Sequence, residues 1–357
     1  MATDAQSRFA AIHDAVASAF PVQDFGVDQG RPIFTIIPGA DDKARFLRLK
    51  RDLEPLDVLP LLRRRGGNTV VMLSPKPPAT RVQWSLPVAL FAATLLSTFF
   101  AGLLNAQGGL PGQHLNPVTS GLAFSLSLMG ILFCHEMGHK LVSIWRGIDA
   151  SLPYFIPLPP LIPGFAIGTM GAIIFTRAPA PNRDALVELG ASGPIAGFIA
   201  AIPVLIYGVA HSSVVAGGAA LVHTCLPTPR LVDFLISWIL HPAPSAEVFI
   251  HPVLFAGWIG LLVTAINLLP GGMLDGGHVV RALFGARAHL PISLAAAGIA
   301  VYFRYYLMGA LILFLARRGH PGPLDDCSPL TTRHLLLAGA VVVIFALSAV
   351  PVTFSCP

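Results

Sequence analysis

The chain has 357 residues, 54% of them hydrophobic and only 11% charged, with a formal net charge of +5. Soluble domains carry about 25% charged residues, so these charges cannot cover a water-facing surface and the bulk of the chain reads as lipid-embedded. The four cysteines form no CxxC pair, which argues against a zinc ribbon or a disulfide scaffold, and the basic surplus comes with no nucleic-acid-binding signature.

Residues 1–80 hold many of the charges, including Lys50–Arg51 and Arg63–Arg64–Arg65. They read as a small soluble α+β domain. A short helix is expected over 7–19. Ile33–Ile37 and Thr69–Leu73 are β-branched, strand-like runs, with a polar, helix-compatible stretch between them. The segment Ser74-Pro-Lys-Pro-Pro-Ala reads as a linker. The first residues have neither a secretory apolar core nor a transit-peptide composition, so the start is expected to be cytosolic and uncleaved.

Residues 81–357 read as a multi-pass membrane domain. Crossing a bilayer takes about 20 apolar residues, and long apolar runs cover 86–104, 118–145, 187–210, 251–270, 290–316 and 334–354. Arg304 and Tyr305–Tyr306 interrupt the fifth run, which is either one long helix or a hairpin of two short ones. The expected fold is mostly α: a polytopic helical membrane protein with a small N-terminal α+β domain. The loop 105–117 has no Lys or Arg and is expected outside. Lys140, Arg146, Arg177 and Arg183 put 146–186 inside, together with the N-terminus. Arg281, Arg287, Arg317 and Arg318 also prefer the inside, which favours the hairpin.

The second run ends in Cys134-His135-Glu136-Met137-Gly138-His139-Lys140. On a helix, positions i and i+4 share a face, so His135 and His139 can grip one ion while Glu136 reaches a water on it. A glutamate flanked by two histidines in an apolar span is costly and marks a functional site. Catalytic zinc takes three protein ligands and a water. The candidate for the third is Asp275, in Asn267-Leu-Leu-Pro-Gly-Gly-Met-Leu-Asp275-Gly-Gly-His278; the bland alternative for Asp275 is a helix cap. His278 reads as a supporting or interfacial histidine, or else as a spare ligand. Cys134 points away from the histidine pair and reads as a buried, inert thiol. Cys225 and Cys356 fall outside and read as unpaired thiols, with a disulfide between them as the alternative. Glu188 reads as a dipole or interface charge. Gly193, Pro194 and Gly197 allow close helix approach. Gly168–Thr176 reads as a short strand beside the site, or else as a buried connector.

These motifs resemble the site-2 protease family of intramembrane metalloproteases. His135–His139 matches its HExxH, Asn267–Gly277 its Asn/Pro…Leu-Asp-Gly motif, and Ala191–Gly197 its small-residue helix. Pro181–Leu186 is similar to the bacterial and chloroplast branch. The resemblance covers roughly residues 85–330. It implies one zinc per chain on His135, His139 and Asp275, with Glu136 as the catalytic carboxylate and a cytosol-facing site. Asn267 is a candidate oxyanion donor, or an inter-helix hydrogen-bonding residue. The expected partners are transmembrane protein substrates and the lipid bilayer, and the expected location is a bacterial plasma membrane with a cytosolic N-terminus. An ion-coupled transporter would call for repeated broken helices, which the sequence lacks. A zinc-binding pseudoprotease scaffold would have no need of Glu136.

Overall fold

The computed structural model describes residues 2–28, 31–78, 83–107, 116–160, 166–216, 228–243, 246–303, 305–317 and 319–350. In the N-terminal part, helix α1 (Ala2–Ala19) leads into strands β1 (Val22–Asp28) and β2 (Arg31–Ile36). Helix α2 (Asp42–Leu53) follows, then β3 (Val58–Arg65) and β4 (Asn68–Pro75). The strands form one antiparallel sheet in the order β1-β2-β4-β3. Phe20, Phe34, Phe46, Leu49, Leu53, Leu62 and Val71 fill the core between the helices and this sheet. The expected strands are β2 and β4, and the polar stretch between them holds α2. Strands β1 and β3 escaped the reading because charges interrupt them: Val22–Asp28 is exposed along most of its length, and Val58–Arg65 ends in three arginines.

Next come helices α3 (Ser85–Gln107), α4 (Pro117–Trp145), α5 (Arg183–Ala210), α6 (Arg230–Ile239), α7 (Pro252–Asn267), α8 (Asp275–Tyr302), α9 (Tyr306–Ala316) and α10 (Thr332–Ser348); all form on the apolar runs except α6, which lies between two of them and was not expected. Among the described residues, α3, α4, α5 and α8 are long and apolar enough to cross a membrane. Caps fix where several of them start. The Asn116 side chain accepts from Val118 N at 2.9 Å with Pro117 following, and Asn182 accepts from Ala185 N at 2.9 Å. Helix α7 stops at Asn267 because Pro270 lacks the N–H that continued helix would need.

Helix α8 is broken at Gly285, whose φ of 79° lies in the left-handed region that favours glycine. A short first segment, 275–284, thus precedes a second, 286–302. The second segment and α9 are two arms of a hairpin, with Gly309 packed on Val301 and Ile312 on Ala296 and Ala297. The hairpin alternative for 290–316 therefore holds. Arg304 itself lies outside the described residues, as do 108–115, Arg318, Cys225 and Cys356.

Two small hairpins complete the fold. Strand β5 (Tyr154–Pro157) pairs antiparallel with β6 (Thr169–Ile173), so the expected strand over 168–176 is present and has a partner that the sequence reading missed. Strand β7 (Ser213–Ala216) pairs with β8 (Ala246–Phe249) at the opposite end of α5.

Two expectations about single residues need correction. Cys134 is a free, exposed thiol; it points off the back of α4, away from the helices that cover His135. Glu188 is buried, where Arg146 grips it with two N–H groups and His334 Nε2 donates at 2.7 Å. A carboxylate so enclosed belongs to a polar network that joins α5 to the end of α4 and to α10, more than the dipole or interface charge expected.

Candidate metal centre

Three helices build the centre. Helix α4 brings His135 and His139 to one face, one turn apart. The first turn of α8 brings Asp275, and the small-residue face of α5 lies across them. His135 Nε2 and His139 Nε2 are 3.4 Å apart, and Asp275 Oδ2 lies 3.3 Å from each. Among the described residues, this is the one group of three His, Cys, Asp or Glu side chains close enough to hold a metal ion.

The donor set fits zinc. Tetrahedral ligands at about 2.0–2.1 Å stand roughly 3.3–3.4 Å from one another, which is the edge length of this triangle. Asp275 Oδ2 is buried and accepts no hydrogen bond, so its desolvated charge lacks a donor that an ion would replace. Nor does Asp275 cap its helix: the N-cap is Leu274, and it makes no side-chain capping bond.

The surroundings prepare the histidines. His139 Nδ1 lies 2.8 Å from the Leu189 carbonyl. A carbonyl only accepts, so Nδ1 carries the proton and Nε2 presents its lone pair to the centre. No sequence motif signals Leu189, because its contribution is a backbone oxygen. Helix α5 comes this close because glycines face the candidate ligands and Ala196 is the small side chain opposite Gly138. A Cβ on Gly193 would lie 2.5 Å from His139 Cδ2 and Cε1, one on Gly197 3.0 Å from His135 Nδ1, and one on Gly190 2.6 Å from Asp275 O. The small-residue segment read as helix packing thus packs on the candidate ligands themselves.

Glu136 is buried beside this group at 5% exposure. Asn267 Nδ2 lies 3.2 Å from His135 Nε2, so the end of α7 puts an amide at the ligand cluster. His278 is not a fourth ligand. Its Nδ1 pairs with His320 Nε2 at 2.7 Å, a partner well outside the motif that sequence reading did not find.

The geometry defines a membrane-embedded protein with a two-histidine, one-aspartate centre and a carboxylate next to it. The model of Peptidase family M50 matches residues 123–311, more than half of the chain, and the chain belongs to that family. It is 27% identical over 310 residues to "Probable zinc metalloprotease EGY1, chloroplastic" of Arabidopsis thaliana, covering 77% of this chain and 54% of that protein. Against the protein of the same name from Oryza sativa subsp. japonica, identity is 30% over 237 residues, covering 59% and 40%. Against "Probable zinc metalloprotease EGY2, chloroplastic" of Oryza sativa subsp. indica it is 28% over 266 residues, covering 73% and 45%. The chain spans about half the length of these curated relatives. Their names place them in chloroplasts and lend no support to a bacterial plasma membrane. No solved structure matches the chain.

Proposed function

We propose that the chain is a zinc metalloendopeptidase that hydrolyses peptide bonds of transmembrane proteins within or beside the bilayer. One observation carries this reading: three ligand atoms at tetrahedral spacing, with a buried glutamate on the same helical turn. His135, His139 and Asp275 would hold a single zinc. Zinc bound there supplies an acidified water and a polarised carbonyl. Glu136 takes the proton of the attacking water and delivers it to the leaving amine nitrogen. The Asn267 amide would donate to the carbonyl oxygen as charge builds on it.

A helical substrate hides its backbone, so it must become extended before attack. The β5–β6 hairpin supports a way of holding it, by pairing along a strand edge. Suitable substrates then carry helix-weakening residues in a single apolar span, because lipid cannot replace the hydrogen bonds that unwinding breaks. We take residues 1–80 as a cytosolic α+β domain and 81–357 as the membrane metalloprotease domain.

Elemental analysis of the purified chain tests the metal. One zinc per chain is expected after metal-replete purification. The His135→Ala/His139→Ala double variant should lose it; retention of zinc there would remove the proposed centre.

A further inference from the structure

The segment 319–331, between α9 and α10, connects the N-terminal sheet to the helix turn that carries Asp275. Its middle pairs with two backbones at once. On one side, Leu62 N of β3 donates to Leu324 O at 2.9 Å, and Asp326 N donates to Leu62 O at 3.2 Å. On the other, Leu324 N donates to Ala180 O at 2.8 Å and Asp325 N to Pro181 O at 3.0 Å. Asp325 makes parallel bridges to both Leu62 and Asn182. The strap thus extends the N-terminal sheet beyond β3 and joins it to the residues that lead into α5. Leu324 is 1% exposed and belongs to the N-terminal core, with Cys327 packed beside it.

The same strap reaches the first segment of α8 at two points. Asp326 grips Arg281 through both oxygens, at 2.9 and 2.7 Å, and Arg281 is only 3% exposed. His320 holds His278. Gly322 N donates to His320 Nδ1 at 2.9 Å, so His320 Nε2 carries the proton that it gives to His278 Nδ1 at 2.7 Å. Both attachments fall within residues 275–284, the segment bounded by Asp275 at one end and by the break at Gly285 at the other. Gly190 of α5 presses on the opposite side, against Asp275 O and His278 Cβ. The strap thus adds two side-chain attachments to a segment that also packs on α5, on Ala338 of α10 and on the 268–272 turn, and whose far end Arg183 holds at Ala282 O and Leu283 O, 2.7 and 2.9 Å away.

We infer that residues 319–331 are a strap that positions the Asp275 turn, with His320 and Asp326 as its positioning residues and the N-terminal sheet as its anchor. The inference rests on the metal-centre reading above. It gives the N-terminal domain a role in the site without a residue in it: the domain holds the strap, and the strap holds the ligand turn at its distance from His135 and His139. A partner that pulled the domain away would loosen Asp275.

The test uses the full chain in detergent, with Asp326→Ala, Asp326→Glu and His320→Ala, and with Asp28→Ala as a control. Asp28 pairs with Arg65 on the exposed side of the same sheet. Zinc affinity is measured by chelator competition on the monodisperse, folded fraction. It is set beside kcat, KM and the unfolding midpoint of the zinc-free chain. Removing groups that support metal ligands lowers metal affinity roughly 10–100-fold. Asp326→Ala and His320→Ala should fall at the lower end, about 10-fold, with kcat reduced and KM unchanged. Asp326→Glu should recover most of the loss, and Asp28→Ala should match wild type. A merely structural role would lower the unfolding midpoint and leave the zinc affinity of the folded fraction alone. If Asp326→Ala does not fold, His320→Ala decides, since it leaves the Asp326–Arg281 pair in place. Zinc affinity within twofold of wild type in His320→Ala, or an equal loss in Asp28→Ala, overturns the inference. Loss of the metal reading would look different, because wild type would then bind no zinc or the double-histidine variant would keep it. As a second check, a protease site inserted between residues 78 and 83 is cut in the purified chain. The N-terminal part should stay bound through the strap, and its release would overturn the anchoring.

Discussion

Gly193→Ala puts two effects of opposite sign in competition. In an ordinary helix interior, replacing glycine by alanine stabilises by about 1 kcal/mol. Here the new Cβ would stand 2.5 Å from both Cδ2 and Cε1 of His139, and closer still to Nε2. Carbon atoms rest at about 3.5 Å or more, so something must give by about 1 Å. The ring cannot turn aside without losing its 2.8 Å bond to Leu189 O or taking Nε2 out of the triangle. The remaining route moves α5 bodily away from α4, which overpacking data put at about 1–3 kcal/mol. Catalytic constellations tolerate about 0.5 Å of displacement, and a 1 Å error costs about 100-fold in rate. The expected result is at least about a 100-fold loss of cleavage, with zinc below half occupancy. Gly130→Ala on α4 is the matched control, because a Cβ there meets nothing within 4 Å; it should keep zinc and activity. The assays are elemental analysis and cleavage of a transmembrane peptide in detergent. Wild-type zinc and cleavage in Gly193→Ala would refute the claim that α5 packs directly on the ligands.

Three further outcomes are expected. Proline at Ala172 or Ile174 removes a backbone donor at the β6 edge; at least one of the two should weaken cleavage with zinc intact, and two harmless prolines would eliminate strand pairing. Burial, with the Asp325 and Asp326 charges beside it, pushes the Cys327 thiol up to about 11. Two units above its ordinary value leave about 100-fold less thiolate at pH 8, so with Cys327 as the sole remaining cysteine maleimide labelling should be slow there and quicken only as pH rises toward 11; fast labelling of Cys327 in the folded chain at pH 7 would contradict the buried strap. In a cysteine-free background, Asp149→Cys and Ser213→Cys, one near each end of α5, should label from opposite faces of sealed vesicles. Labelling from the same face would defeat the topology drawn from the Lys and Arg distribution.

The membrane helices were legible because lipid leaves the backbone few alternatives, and a long apolar run states its own structure. His135, Glu136 and His139 were legible from spacing on one helix. Asp275 was recognisable because Pro270 and the flanking glycines break helix where a bilayer tolerates a break only beside protein or water. Strands β1 and β3 were hidden by charges that alternate too irregularly to mark a buried face. Leu189 gave no sign because it acts through its carbonyl. Glu188 misled because its partners, Arg146 and His334, come from α4's end and α10, and no local pattern announces a long-range ion network. His320 and Asp326 lie in a polar connector whose importance comes only from what it joins.

The most direct test of the proposed activity compares Glu136→Gln with Asp275→Asn in one reconstituted assay. Glutamine cannot take the water proton but leaves the three ligand atoms in place, so Glu136→Gln should hold about one zinc per chain and cut nothing. Asparagine is a poorer ligand, so Asp275→Asn should lose both cleavage and most of its zinc. Product masses from a single-span substrate should place the wild-type cut within or beside the apolar span. Cleavage by Glu136→Gln at the wild-type rate, or cuts confined to long soluble loops, would contradict the account.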